Sequence, residues 1–171
     1  MARRALTVAV LLVAVAGVGS RIALSAVNHL PADVWTALKD ARSFETRRSV
    51  SAIPASVRAA FAKAVGDESF AMAEPGGEWQ VTDVTEKPEL PRRRLRGVAQ
   101  SKSLCILFYE LGGRAESDHV AVFRLKDGGA ELAWQAVLDW KSKTDRVAAD
   151  PGALLAAIEA GRVYGGPTIY H

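Results

Sequence analysis

Three segments of this 171-residue chain carry apolar residues at the three- to four-residue spacing of an amphipathic helix. The first segment follows Pro31, and the second begins near Pro54 and ends at Gly66. The third opens at Asp150 as its N-cap, with Pro151 in the first turn. The apolar stripes are Val34, Trp35 and Leu38; Ile53, Val57, Phe61, Ala64 and Val65; and Leu154, Leu155 and Ile158. The pattern therefore predicts two helices before the middle of the chain and one after it.

Between the second and third helical segments the apolar period becomes that of extended chain. Two short candidate strands, 70–73 and 79–84, precede a loop rich in charge and proline at 85–92. Stronger candidates then follow at 94–100, 103–110, 118–125 and 130–138. The connections between these four are short, and Asp127–Gly128 is a strong hairpin-turn signal. Short connections force neighbouring strands to be antiparallel, so this region is predicted to be a meander.

The order of these elements predicts the fold class. We expect an α+β fold in which N-terminal helices are followed by an antiparallel meander sheet of four to six strands and a C-terminal helix. The helices are expected to pack on one face of the sheet. Cystatin-like and NTF2-like architectures share this order, by analogy only, and such scaffolds serve many unrelated functions. Residues 27–171 form a single predicted domain, because about 145 residues favour one core.

The N-terminal segment has the pattern of an export signal. Arg3 and Arg4 precede an uncharged, largely apolar run at 5–19, which Ser20 and Arg21 close. Cleavage after Ser20 is one outcome, since small residues occupy the positions it requires. Retention is the other, because residues 5–27 are interrupted only by Arg21 and approach the length of a membrane span. Residues 1–26 are therefore predicted to be an export signal or membrane anchor, with the domain periplasmic or extracellular.

Charge and cysteine content narrow the classes of function. The formal net charge is +3, and Arg3 and Arg4 carry two of those charges, so the exported part is nearly neutral. This argues against a nucleic-acid-binding protein, which usually has a strong basic excess. Cys105 is the only cysteine, so there is no internal disulfide, and its apolar neighbours predict a small buried residue.

Metal and cofactor motifs are not found. The histidines, His29, His119 and His171, lack the spacing of a zinc-binding helix. The paired glycines are isolated and fit turns, and none begins a helix after a strand as phosphate-binding loops do. We therefore predict neither a metal site nor a cofactor.

The stretch 104–109 is apolar on both sides of the predicted strand. A strand with one face in water would alternate, so both faces of this one require cover. One interpretation is a central strand whose second face is closed by Trp79, Trp134, Trp140 and the loops. The other is a pocket or interaction surface for an apolar small ligand or a partner protein. The binding residues would then be Leu104, Ile106, Leu107 and Phe108.

The densest basic cluster precedes and enters the first strong strand. Alternation places Arg92, Arg94 and Arg96 on one face of that strand and Arg93 with Leu95 on the other. The first three are candidates for binding phosphates of lipid head groups or an anionic polymer of the envelope. The structural alternative is a solvated edge strand whose charges resist aggregation.

One group of polar residues suggests chemistry. Tyr109, Glu110, Asp118 and His119 flank the loop 111–117, so the strand ends bring them to the same edge of the sheet. His119 is a candidate general base, oriented by Asp118 or Glu110, with Tyr109 as proton donor. Ser117 lacks the Gly-x-Ser-x-Gly context of a nucleophile elbow.

These observations favour a non-enzymatic envelope domain that binds a partner protein or an apolar small ligand. The alternative is a small hydrolase or isomerase that uses His119 with Asp118 or Glu110 and Tyr109.

Overall fold

The computed structural model describes residues 30–82, 87–113, 116–139 and 150–165. Within these ranges there are three α-helices and two single 3₁₀ turns. The helices are α1 (Ala32–Lys39), α2 (Ala55–Val65) and α3 (Pro151–Glu159), and the 3₁₀ turns are Ala41–Ser43 and Val50–Ala52. The predicted export segment, His29, Trp140 and His171 lie outside the described residues. Among the helices described, none has both the length and the apolar character needed to cross a membrane.

Two of the predicted helix boundaries have clear chemical causes. The Asp150 Oδ1 atom accepts a 2.8 Å hydrogen bond from the Ala153 amide, which is the geometry of an N-cap. Gly66 ends α2 in the left-handed conformation, at φ 74°, where glycine has no Cβ penalty. These signals therefore act as the sequence predicted.

The strands form one six-stranded antiparallel sheet in the order of the chain. They are β1 (Glu45–Arg47), β2 (Arg93–Gln100), β3 (Leu104–Leu111), β4 (Ser117–Lys126), β5 (Gly129–Leu138) and β6 (Val163–Gly165). The predicted α+β class and antiparallel meander are confirmed.

Neither of the two early candidate strands is formed within the residues that the structure describes. Within 70–73 only Ala73 makes an isolated bridge, to Arg94. The described part of 79–84 is irregular and is tied to the sheet by the Gln80 amide, which donates to the Pro91 carbonyl at 3.0 Å. Conversely, β1 and β6 were not predicted, because strands of three residues carry almost no periodic pattern.

Helices cover both faces of the sheet, so the prediction that they share one face is wrong. α1 and α3 pack on the face that carries Leu104, Ile106 and Phe108, which we call the two-helix face. α2 packs on the opposite face, the one-helix face, which carries Cys105, Leu107 and Tyr109. Strand β3 is apolar on both sides because each side lies in a core.

The second face is covered by α2 together with residues of the flanking loops, such as Ile53 and Phe70, so the predicted cover by loops is correct in part. The main contact of α2 is Phe61, whose ring makes edge contacts with Phe70 at 5.7 Å and Tyr109 at 5.3 Å. Trp134 instead belongs to the core of the two-helix face. A helix is the better cover here because its apolar stripe spans several strands at once.

Candidate functional site

The predicted catalytic residues are divided between the two faces of the sheet. Tyr109 and His119 are cross-strand partners that lie on the one-helix face, with ring centroids 5.3 Å apart and nearly parallel planes. Glu110 and Asp118 are the next cross-strand pair, and they lie on the two-helix face. Adjacent residues of a strand point to opposite faces. The expectation that Glu110 or Asp118 orients His119 is therefore wrong.

The partner of His119 is a serine two residues earlier on the same strand. Ser117 Oγ lies 2.8 Å from His119 Nε2. Burial of the imidazole, with a smaller effect of the nearby Arg93 cation, lowers the pKa of His119 to about 4. Burial likewise raises the pKa of the Tyr109 phenol to about 12. Near pH 7 both groups are consequently neutral.

Ser117 lines a cavity of about 860 Å³ at one end of the sheet. The cavity lies between the C-terminal end of α2 and the connection from β3 to β4. Its walls combine apolar groups with charged and hydroxyl groups. The lining residues that bear on its chemistry are Val65, Asp67, Glu68, Arg92, Arg93 and Ser117.

Arg93 forms a fixed part of the cavity wall. Its Nη1 atom donates a 2.7 Å hydrogen bond to Asp67 Oδ2, and its guanidinium lies 5.7 Å from the centre of the Phe61 ring. Only 9% of Arg93 is exposed. Its charge is thus compensated by Asp67 and its position is set by the core beneath it.

The adjacent part of the wall depends on a close backbone approach at Gly112. The Gly112 amide donates to the Arg92 carbonyl at 2.9 Å, and the neighbouring Gly113 amide donates to the Val81 carbonyl at 3.0 Å. A Cβ on Gly112 would lie 1.8 Å from the carbonyl oxygen of Gln80. Only glycine therefore allows the segment near Gln80 to close against this connection.

The structure places Arg94 and Arg96 in an internal ionic network. Arg94 Nε donates to Glu110 Oε2 at 2.5 Å, and Arg96 Nη2 lies 2.7 Å from Glu110 Oε1. Both arginines therefore point to the two-helix face, and Arg96 is the extra residue at a register shift between Leu95 and Gly97. Arg96 also reaches Asp118, at 3.7 Å. The interpretation of these arginines as a solvated edge is wrong, because they neutralise buried carboxylates.

The four apolar binding candidates, Leu104, Ile106, Leu107 and Phe108, are core residues with at most 3% of their surface exposed. The helices of the same chain occupy the space that a ligand or partner would need. Arg92, in contrast, is exposed and lies at the cavity. Of the seven predicted binding residues, Arg92 alone lines the cavity beside Ser117.

The site therefore includes residues that sequence reasoning missed. The fold brings Ser117 to the same cavity as Asp67, Glu68 and Arg93, which are distant from it in the sequence. The Ser117–His119 pair had a visible signal, because residues two apart on a strand share a face. Among the described residues, no group of three metal-ligating side chains is close enough to hold a metal ion.

No family model matches this sequence, and no curated protein or solved structure shows significant similarity to it.

Proposed function

We propose that this protein is an exported or membrane-anchored envelope domain that binds a small polar ligand in the cavity at Ser117. The observation that carries the proposal is the cavity itself, at about 860 Å³ with mixed apolar and charged walls. Binding sites for small molecules typically have volumes of about 300–1,000 Å³ and a few converging polar groups. The basic and apolar N-terminal pattern at 1–21 supports the location outside the inner membrane.

A small ligand fits the surface better than a partner protein does. The large apolar side chains exposed in the described part of the chain are Val81 and Tyr164. Two single side chains do not form the contiguous apolar patch that marks many protein interfaces. The apolar strand β3 is covered by helices, which also removes the basis for an apolar ligand at that strand. Two cavities with chemically varied walls lie in the described structure, one of about 860 Å³ at Ser117 and one of about 440 Å³ beside Trp79, and the first has the larger volume.

Binding without catalysis is favoured by the state of His119. A histidine with a pKa near 4 is a weak base, and the nearby Arg93 cation opposes the imidazolium that catalysis would create. Glu110 and Asp118 lie on the other face, where neither can stabilise that charge.

A serine hydrolase is the second candidate function, because Ser117 Oγ and His119 Nε2 are within hydrogen-bonding distance. A fluorophosphonate probe distinguishes the two. We expect no covalent label on Ser117, whereas labelling that is lost in His119→Gln would establish the hydrolase.

Native mass spectrometry of the protein purified from the envelope fraction of its own host tests the binding proposal. We expect a mass that begins after the export signal or retains the anchor, with a reproducible small non-covalent adduct. Ala71 lines the cavity, so Ala71→Trp should fill it and remove the adduct. Ala59→Trp, at an exposed position on α2, is the matched control and should retain it. An adduct that survives in Ala71→Trp, or none in the natural protein, would contradict the proposal.

A further inference from the structure

The charged side chains of the Ser117 cavity fall into two sets of opposite sign. Asp67 and Glu68 follow the C-terminal end of α2, and Arg92 and Arg93 lie at the start of β2. Among the described lining residues, two carboxylates and two guanidinium groups give a formal charge of zero. This part of the wall is therefore neutral in sum but polarised from one side to the other.

On the negative side of the cavity, Glu68 is available to bind a cation. Asp67 is already paired with Arg93 at 2.7 Å, but Glu68 is exposed and has no ion-pair partner among the described residues. The C-terminal end of α2 adds to this side, because a helix carries partial negative charge there. An ammonium group placed between Glu68 and the end of α2 would be favoured by both.

The positive side has matching capacity for an anion. Arg92 is exposed and also lacks an ion-pair partner in the part of the chain that the structure describes. The neutral His119 can donate from Nε2 to Ser117 Oγ, which leaves the serine hydroxyl hydrogen free to donate into the cavity. A carboxylate is then met by a guanidinium and a hydroxyl donor, a charge-assisted arrangement.

We infer that the ligand is zwitterionic: a free amino acid or short peptide, with its ammonium near Glu68 and its carboxylate near Arg92 and Ser117. This inference rests on the proposed binding function. A ligand with one net charge would gain at one side of the cavity and be repelled at the other, whereas a zwitterion satisfies both. The volume of about 860 Å³ accommodates a peptide of a few small residues.

Isothermal titration calorimetry with trialanine and its capped forms tests the inference. The comparison uses the peptide with free ends, its N-acetyl form, its C-terminal amide and the doubly capped form. We expect the free peptide to bind at least about tenfold more tightly than either singly capped form, as the loss of one charge-assisted contact implies. Equal affinity of the free and doubly capped peptides would overturn the inference, and so would no binding of any of them.

Two substitutions test which side chain binds the ammonium end of the peptide and which binds its carboxylate end. Glu68→Gln should weaken the free peptide about tenfold and leave the N-acetyl form unchanged, since that form has no ammonium. Arg92→Gln should weaken the free peptide similarly and leave the amide unchanged. Glu159→Gln and Arg48→Gln, at exposed positions away from the cavity, are the matched controls. A peptide that still binds normally to Glu68→Gln and Arg92→Gln would contradict the assignment.

The proposed binding function and the proposed class of ligand can be refuted independently of each other. If the native protein carries an adduct that Ala71→Trp removes, but no zwitterionic peptide binds, the ligand class is wrong and the binding function stands. If neither adduct nor peptide is found, both are wrong.

Discussion

The carboxylate of Glu110 has no exposed surface, and its Oε2 atom accepts a 2.5 Å hydrogen bond from Arg94 Nε on the neighbouring strand. Burial alone would raise the pKa of Glu110, but the hydrogen bond from Arg94 and the charge of Arg96 bring it below its usual value. The carboxylate is therefore ionised within the fold, and its charge holds the two arginines against it.

Removing this charge should destabilise the protein. We expect Glu110→Gln to lower the free energy of unfolding by about 3 kcal/mol, because Arg94 loses the carboxylate at 2.5 Å and Arg96 keeps the more distant Asp118, at 3.7 Å. Urea denaturation followed by circular dichroism measures the loss. Glu159→Gln, at an exposed position on α3, is the control and should change stability by less than about 0.5 kcal/mol. Similar stability of both variants would show that the network is not needed for folding.

Because the pKa of His119 is lowered in the fold, we expect the protein to lose stability in mild acid. Its pKa is about 4 in the folded protein, against an ordinary value of 6.5, so the unfolded chain takes up the proton first. The contribution of His119 is complete above pH 6.5 and is lost progressively as the pH falls to 4. A shift of this size corresponds to about 3 kcal/mol.

Urea denaturation at several values between pH 7.5 and 4.5 checks the pH dependence. His119→Gln should have a flatter profile over this window, because glutamine does not titrate. Further loss below pH 4 is expected in both proteins as Glu110, with its lowered folded pKa, becomes protonated. Identical slopes between pH 6.5 and 4.5 in the two proteins would rule out His119 as the source.

Gly112 should tolerate no side chain. The Cβ of Gly112→Ala would lie 1.8 Å from the Gln80 carbonyl oxygen, so backbone must move and the segment near Gln80 must separate from the sheet. We expect a loss of about 2 kcal/mol or more in unfolding free energy. Gly129→Ala is the matched control, since its Cβ would meet no atom within 4 Å. Equal stability of the two variants would show that the Gln80 carbonyl does not pack against Gly112.

Cys105 should be inert in the folded protein. Burial raises the pKa of its thiol to about 12, and the side chain has no exposed surface. Ellman's reagent should therefore react only after the protein is unfolded in urea, at a rate set by opening of the core. Rapid reaction in native buffer would mean that the one-helix face opens readily.

Much of the fold was predictable because its signals are local. The four long strands begin and end within one residue of their predicted positions, since turns such as Asp127–Gly128 and a two-residue period specify them. Asp150 and Gly66 likewise marked helix ends through chemistry confined to a few residues. The predictions that failed depend on contacts between residues that lie far apart in the sequence. The apolar character of both sides of β3 showed that each needed cover, but periodicity does not say which helix covers which face.

The site was less predictable for the same reason. The alternation of side chains along β4 places Asp118 on one face of the sheet and Ser117 and His119 on the other. This part of the site could therefore be predicted from the sequence. The contact between Asp67 and Arg93 joins positions 26 residues apart, and no periodic signal links them. A cavity is defined by such distant contacts, so the sequence alone contains no mark of it.

The assignment of helices to faces has a consequence for how the molecule opens. α1 precedes every strand in sequence and α3 follows five of them, so the two-helix face closes only when both have docked. α2 lies between β1 and β2 and closes the one-helix face by itself. The two layers are therefore expected to exchange their amide hydrogens as separate cooperative units. The layer that bears the Ser117 cavity can stay protected while the other transiently opens.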